Sequence, residues 1–374
     1  MNFSFSKVLS QFGKSFAKKR VVGIDIGASA IKIVELEKDN GRALLKNYGE
    51  LALGPYADGV IGQATSLSLE KISQALQDLF QETGITTRDA ALAFPLGPSF
   101  LSVIEMPDVD RRDLDTMVPL EARKYIPVPA NEVQLGWQVV PEKQSAAIPA
   151  GTKEKEQVQQ KKVEVLIAAV HKDIVAKYNE IKKRVNLDAG TPEIEVFSSI
   201  RSVIGRDTSP LMILDMGAGT TKLAMVEWGI LRSSHIINMG SQDITLTLSK
   251  ALGITLQEAE QAKRDFGLRG IPNTQHSQEV VALPLAQIFS EANRVLSNYE
   301  KRYNRKTSKV ILTGGGVLMK GLLEFARENF ETEVVMGDPF TRVVTPAFMA
   351  DTLRDAGPEF AVAIGSGLRG LQDA

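Results

Sequence analysis

Blocks of apolar and polar residues alternate along the chain, and they predict strands that alternate with helices. Three apolar runs end on small residues, as buried strands do before tight turns. They are VVGIDIG (21–27), LMILDMG (211–217) and VILTGGG (310–316). Further strands are predicted at 51–55, 91–95 and 99–107. This alternation is the pattern of an α/β protein.

The clearest helical periodicity lies between Ser68 and Gly84, where apolar side chains recur every three or four positions. Serine and glycine suit the N-cap and the C-terminal stop of this helix. A second helix is predicted over 114–127, broken near Pro119 and ended by Pro127, because proline disrupts a helix interior.

The first two apolar runs each lead into the string Asp-x-Gly-Ala-x-x-x-Lys, about 190 residues apart. The aligned pairs are Asp25 with Asp215, Gly27 with Gly217, Ala28 with Ala218, and Lys32 with Lys222. One copy would be a common turn sequence. Two copies predict duplicated domains that face each other.

Both bends carry residue types that suit a phosphate group. A glycine at a hairpin bend lets backbone N–H groups converge on an anion, and neighbouring hydroxyls add donors. An aspartate beside a phosphate would be repelled unless a cation lay between them. Asp25 and Asp215 are therefore expected to hold Mg²⁺, directly or through its waters. The predicted phosphate-binding residues are Gly27, Ala28, Ser29, Lys32, Gly217, Ala218, Gly219, Thr220 and Thr221.

Composition and charge argue against several classes of protein function. The 374 residues carry a formal net charge of -1, which argues against nucleic acid as the main partner. Without cysteine, disulfides, thiolate catalysis and Cys-type metal sites are excluded. The three histidines are far apart in sequence, which disfavours a His-based zinc site or a Ser-His-Asp triad. No apolar run approaches the roughly 18 residues that span a bilayer.

Two segments differ in character from the rest. The leader 1–20 contains five basic residues and no acidic one, with phenylalanines along one helical face. It predicts contact with an anionic membrane surface through residues 1–18, although a frayed arm or a helix packed on the body stays possible. The polar stretch 142–162 predicts a loop between two strands.

The two hairpins resemble those of the actin-like ATPase superfamily, and three further segments match its other motifs. The strand and triple glycine Gly314, Gly315 and Gly316 resemble its adenosine motif. The segments 193–204 and 358–371 resemble its connecting helices, and the resemblance places Glu195 as a water-positioning acid. It also assigns Glu260 and Lys263 to adenosine, with a surface salt bridge as the alternative for this pair.

Within that superfamily the chain is similar to the PilM family of type IV pilus assembly, notably in LEARKYIPVPANEVQLGWQVV (120–140). The resemblance implies an actin-like, ribonuclease H-like fold of duplicated α/β domains around a nucleotide cleft, with a subdomain 1C in place of actin 1B. After the leader 1–20, the implied subdomains are 1A (21–88, 163–208 and 345–374), 1C (89–162), 2A (209–245 and 306–344) and 2B (246–305).

The resemblance further implies a cytoplasmic ATP- and Mg²⁺-binding scaffold, peripherally associated with the inner membrane and at most a slow ATPase. Such a scaffold would bind the N-terminal cytoplasmic peptide of PilN between 1A and 1C, and would link the inner-membrane complex to the pilus motor ATPase. The alternatives are an FtsA-like cell-division protein and, less favoured, a sugar-type kinase of the same fold.

Overall fold

The computed structural model describes residues 19–140 and 161–372. Residues 1–18, and all but the last two residues of the predicted loop 142–162, lie outside the described part of the chain. Within the described ranges, no helix is long and apolar enough to cross a bilayer.

The described residues form three sheets and the helices that cover them. The strands are β1 (Arg20–Ile26), β2 (Ala30–Asp39), β3 (Arg42–Ala52), β4 (Asp89–Phe94), β5 (Ser99–Pro107), β6 (Val133–Val139), β7 (Lys162–His171), β8 (Asp188–Ala189), β9 (Glu193–Ile194), β10 (Leu211–Met216), β11 (Thr221–Glu227), β12 (Ile230–Ile237), β13 (Lys309–Thr313) and β14 (Glu333–Met336). The helices are α1 (Leu69–Thr83), α2 (Arg111–Ala122), α3 (Lys172–Val185), α4 (Glu195–Val203), α5 (Ser241–Leu252), α6 (Leu256–Asp265), α7 (Ser277–Tyr303), α8 (Leu322–Asn329), α9 (Ala350–Ala356) and α10 (Ala361–Gln372).

The first and second sheets repeat one topology. The first has the order β3-β2-β1-β4-β8, and the second has the order β12-β11-β10-β13-β14. In each, an antiparallel three-strand meander continues into a parallel strand: β1 pairs with β4, and β10 with β13. The predicted duplication of α/β domains is confirmed. Lobe I here means the part built on the first sheet, and lobe II the part built on the second.

The third sheet has the order β5-β7-β6 and is antiparallel throughout. Its core packs under α2, with Ile104, Met106, Leu114, Val118 and Val165 buried together. The sheet runs from residue 99 to residue 171, whereas β4 belongs to the first sheet.

Helix α1 follows the prediction closely. The Ser68 side chain accepts a hydrogen bond from the Lys71 backbone N–H, and Gly84 ends the helix in the left-handed region at φ 68°. The apolar face is buried in the large core shared by the first and second sheets.

Helix α2 differs from the prediction at both ends and in the middle. It begins at Arg111 and runs through Pro119 without a break. Proline there removes one backbone N–H donor and crowds the carbonyl four residues earlier. Burial of Leu114, Val118 and Ala122 against the third sheet offsets this cost. The helix ends at Ala122, whose carbonyl accepts the Tyr125 and Ile126 N–H groups in a closing turn well before Pro127.

Two helices of lobe I, α4 and α10, lie against each other on the first sheet. Helices α4 and α10 cross with backbones in close approach, and the Ser198 and Ser366 hydroxyls are 3.0 Å apart. Gly365 faces the Ser198 carbonyl so closely that a Cβ atom there would overlap it. The glycine at position 365 therefore permits the close packing of α10 on α4 within lobe I.

Candidate functional site

A cavity of about 370 Å³ lies between the two lobes, and both hairpin bends open into it. It is called the cleft below. The predicted site residues that line it are Asp25, Gly27, Ala28, Ser29, Lys32, Glu195, Asp215, Gly217, Ala218, Gly219, Thr220, Glu260, Lys263, Gly314, Gly315 and Gly316. Residues far apart in sequence thus share one surface.

The two hairpins have matching local geometry. In the first, Asp25 is the cross-strand partner of Lys32, and in the second Asp215 is the partner of Lys222. Each bend is closed by the glycine N–H, which donates to a carbonyl three residues later at 3.0 Å (Gly27) and 2.9 Å (Gly217). Each hairpin therefore presents an acid, a bend and a lysine in the same arrangement.

Thr221 is the predicted residue that the structure does not bring to the cleft. Its side chain is fully buried, and its hydroxyl donates to the Met239 carbonyl at 2.9 Å. It supports the base of the second hairpin.

Each lysine at a bend is held by carboxylates. Lys222 Nζ lies 2.7 Å from Glu195 Oε2 and 3.9 Å from Asp215 Oδ2. Burial alone would lower the pKa of Lys222, but these two carboxylates raise it. On the other side, Lys32 Nζ lies 3.1 Å from Glu50 Oε1 and 4.0 Å from Glu359 Oε2. Both lysines therefore stay charged at neutral pH.

Glu195 begins helix α4 and reaches across the cleft. Its Oε1 accepts the Leu96 backbone N–H at 2.6 Å, while its Oε2 binds Lys222 of lobe II. The carboxylate is buried and fixed from two sides, so it is a rigid acceptor at the floor of the cleft. Its role in positioning water stays a prediction.

The aspartates lie in an environment that disfavours their charge. Burial raises the pKa of Asp25 to about 7; Glu195 adds to this, and the two bend lysines oppose it. Burial likewise raises the pKa of Asp215. Mg²⁺ binds carboxylate oxygens and neutralises negative charge that burial disfavours. The carboxylates of Asp25 and Asp215 therefore fit this ion. Among the described residues, no cluster of three or more metal-ligating side chains occurs.

The raised pKa of Asp25 predicts a pH dependence. A carboxyl whose pKa is higher in the folded than in the unfolded protein stabilises the fold when protonated. That contribution is lost as pH rises from about 4 through about 7. Without nucleotide and Mg²⁺, the melting temperature of Asp25→Asn minus that of the parent should therefore increase over this interval. A difference that stays constant from pH 4 to pH 8 in thermal melts would contradict the assignment.

Two positions of the glycine run, Gly314 and Gly316, lie so close to the second hairpin that they require glycine. Gly314 has φ +87°, in the left-handed region, and a Cβ there would collide with the Asp215 carboxylate. Glycine at these positions therefore leaves the Asp215 carboxylate and the Met216 backbone in place.

Glu260 and Lys263 are not a surface salt bridge. Both side chains are buried, and Lys263 Nζ lies 2.6 Å from Glu260 Oε2. Burial lowers the pKa of Lys263. Thr245 binds both groups through its hydroxyl, at 2.7 Å and 3.0 Å. The pair is thus a preformed polar wall of the cleft in lobe II.

Some lining residues were not singled out from the sequence, chiefly Glu50, Ser241, Arg264 and Glu359. Glu359 lies inside the recognised segment 358–371, so that motif could have pointed to it. Burial raises its pKa to about 7. Glu50 is the cross-strand partner of Lys32 on β3, which only the strand register reveals.

The chain matches a known protein family over nearly its whole length. The family model described as type IV pilus assembly protein PilM matches residues 23–371. The chain belongs to the PilM family. Relatives of this PilM-family chain include FtsA of Pseudomonas aeruginosa, 24% identical, with 95% of this chain and 90% of FtsA covered. FtsA of Neisseria meningitidis is 29% identical, but the alignment covers 44% of this chain and only 47% of that protein.

Solved structures show that this PilM-family chain has the actin-like fold. The PilM–PilN type IV pilus biogenesis complex superposes with a TM-score of 0.78 at 22% identity, covering 95% of this chain and 99% of that one. MreB5 of Spiroplasma citri bound to ADP gives a TM-score of 0.51 at 11% identity, covering 95% and 97%. At sequence identities of 22% and 11%, the similarity to these two structures concerns the fold alone.

Proposed function

We propose that the chain is an ATP-binding scaffold of type IV pilus assembly, working at the cytoplasmic face of the inner membrane. The observation that carries the proposal is the pair of matching hairpins, which bring Asp25 and Asp215 to one cleft in a PilM-family chain. The bends would hold the phosphates, and the two aspartates would hold Mg²⁺ directly or through water. The triple glycine, Glu260 and Lys263 would hold adenosine.

When bound, Mg²⁺ would neutralise the phosphate charge that faces the aspartates. Lys32 and Lys222 would add positive charge near the phosphates. Glu195 would be a hydrogen-bond acceptor held in a fixed position toward the terminal phosphate. Both oxygens of the Glu195 carboxylate are already engaged, by the Leu96 N–H and by Lys222, which favours at most slow hydrolysis. Isothermal titration with Mg·ATP tests the proposal, and no detectable binding would refute it.

The proposed partner is the N-terminal cytoplasmic peptide of PilN, since the fold is that of the chain in the PilM–PilN complex. A groove of about 280 Å³ lies where the third sheet meets both lobes, and it is the proposed peptide site. It differs from the implied 1A–1C site in that one of its walls comes from lobe II. Its lining residues are Leu96, Ser99, Phe100, Leu101, Ser102, Tyr125, Ile126, Ile167, Ala169, Ser234, His235 and Ile236. This site is called the groove below.

The groove suits an extended peptide. Its walls include β5 and β12, which are the edge strands of two different sheets. Edge strands offer backbone N–H and C=O groups to an added strand, and the apolar side chains provide pockets for alternate residues. A peptide here would touch both lobes, so its binding would be coupled to closure of the cleft.

Tyr125 provides a test of the groove. It is half exposed at 50%, so Tyr125→Ala should leave the fold intact while weakening binding of a synthetic PilN N-terminal peptide about tenfold. Leu120→Ala is the matched control, because Leu120 on α2 is 56% exposed and lies outside the groove. Equal affinities of the two variants in a fluorescence-anisotropy titration would exclude this groove.

Coupling to the pilus motor ATPase and membrane contact through residues 1–18 belong to the same proposal. FtsA relatives that cover most of the chain make a cell-division role the alternative. A pull-down with the full chain as bait separates the two roles: recovery of PilN supports pilus assembly, and recovery of division proteins alone contradicts it.

A further inference from the structure

Trp228 occupies an unusual position at the turn between β11 and β12. Its side chain is 50% exposed, and its backbone has φ +58°, followed by Gly229 at φ +71°. Two-residue turns with both residues at positive φ favour Asn-Gly or Asp-Gly, and a bulky side chain is strained there. Neither the turn nor core packing therefore accounts for a tryptophan at this position.

The C-terminal end of helix α7 brings a basic cluster to the same end of lobe II. Arg305 forms an ion pair with Glu227, the residue directly before Trp228. Tyr299 of α7 also lies 3.5 Å from the Glu227 carboxylate through its hydroxyl. We call Trp228, Lys301, Arg302, Tyr303, Arg305 and Lys306 the Trp228 surface.

Four basic side chains give this surface an excess of positive charge, although Glu331 as well as Glu300 faces Lys306. Lys306 pairs with Glu300 and Arg305 with Glu227, but Lys301 and Arg302 form no ion pair with any residue that the structure describes. Arg302 instead lies over the Tyr303 ring, 5.4 Å from its centroid. The helix dipole favours cations at the end of α7. It does not explain an exposed tryptophan beside them.

We propose that the Trp228 surface docks on the anionic headgroups of a lipid bilayer. Tryptophan prefers the boundary between headgroups and acyl chains, and each nearby Lys or Arg adds attraction to anionic lipid. The tryptophan lies in a hairpin turn that the Glu227–Arg305 ion pair links to the end of the helix carrying Lys301 and Arg302. This contact uses none of the residues that line the cleft or the groove.

The sequence offers a direct spectroscopic readout, because the chain contains two tryptophans. The full-length Trp137→Phe variant leaves Trp228 as the sole indole emitter. Its emission should shift to the blue with vesicles of phosphatidylglycerol and phosphatidylcholine, and stay unchanged with pure phosphatidylcholine. The shift should weaken with added salt. No shift with anionic vesicles, or an equal shift with poly-glutamate, would overturn the lipid assignment.

Vesicle co-sedimentation tests the same surface through substitutions. Trp228→Asn places a favoured residue in the turn, so stability should hold or rise while binding to anionic vesicles falls about tenfold. Lys301→Glu with Arg302→Glu should reduce binding by a larger factor. Lys172→Glu with Lys183→Glu, a pair of exposed cations on α3, is the charge-matched control and should change binding less than about threefold.

Residues 1–18 are present in every variant, so any leader contribution is common to all of them. If Trp228→Asn binds like the parent, or the control pair falls as far as the Lys301 and Arg302 pair, the Trp228 surface is not the docking site.

Discussion

Asp215→Asn will lower the affinity for Mg·ATP by about a hundredfold, the upper end of losses seen when a carboxylate that orients a metal site is removed. Asp215 lies in the second hairpin, 3.9 Å from Lys222 and beside the glycine run at 314–316. An amide cannot supply the negative charge that holds Mg²⁺ against the phosphates. The measurement is isothermal titration with Mg·ATP.

The fold of this variant should be unharmed. Burial raises the pKa of Asp215, so its charge is unfavourable when nothing neutralises it, and asparagine has nearly the same shape. The nucleotide-free melting temperature should therefore hold or rise. Asp108→Asn is the control, since that carboxylate pairs with Lys161 at 3.3 Å outside the cleft. Equal losses of affinity in the two variants would show that the hairpins are wrongly assigned.

Gly365→Ala will destabilise the protein by about 3 kcal/mol, the upper part of the usual range for overpacking a core. The added Cβ would overlap the Ser198 backbone carbonyl, and a backbone atom cannot rotate away. Helices α4 and α10 must then separate. Helix propensity alone predicts the opposite sign, because alanine is favoured over glycine in a helix interior by about 1 kcal/mol.

Urea unfolding measures this change. Gly190→Ala is the matched control, because a Cβ added at Gly190 would meet no atom within 4 Å and its φ is not positive. Its free energy of unfolding should change by less than about 1 kcal/mol. If Gly365→Ala is as stable as the control, α4 and α10 are not in close contact.

Much of the fold could be predicted because its signals are local. The hairpins are encoded by an apolar run, a bend and a second apolar run, and strand period fixes which side chains share a face. Helix α1 is encoded by Ser68, Gly84 and the spacing between them. The duplication is visible because both copies kept the same residue types at the bend.

The predictions that differ from the structure concern positions where long-range packing overrides the local sequence preference. Pro119 remains inside α2 because the helix is packed against the third sheet, which the sequence does not reveal. Thr221 looks like a phosphate donor beside Thr220, but strand alternation turns its hydroxyl to Met239. For Glu260 and Lys263 the sequence left a surface salt bridge open beside the adenosine assignment, and only their burial excludes the surface pair.

The sequence by itself determined that there are two matching hairpins and which family they resemble, and it predicted the residues that would bind phosphate. These depend on residue type and near-neighbour spacing. Only the tertiary structure decided that Glu195 of lobe I binds Lys222 of lobe II, that Glu50 and Glu359 hold Lys32, and that edge strands of two sheets wall one groove. Those contacts join residues far apart along the chain, and their geometry is set by how sheets and helices pack as a whole.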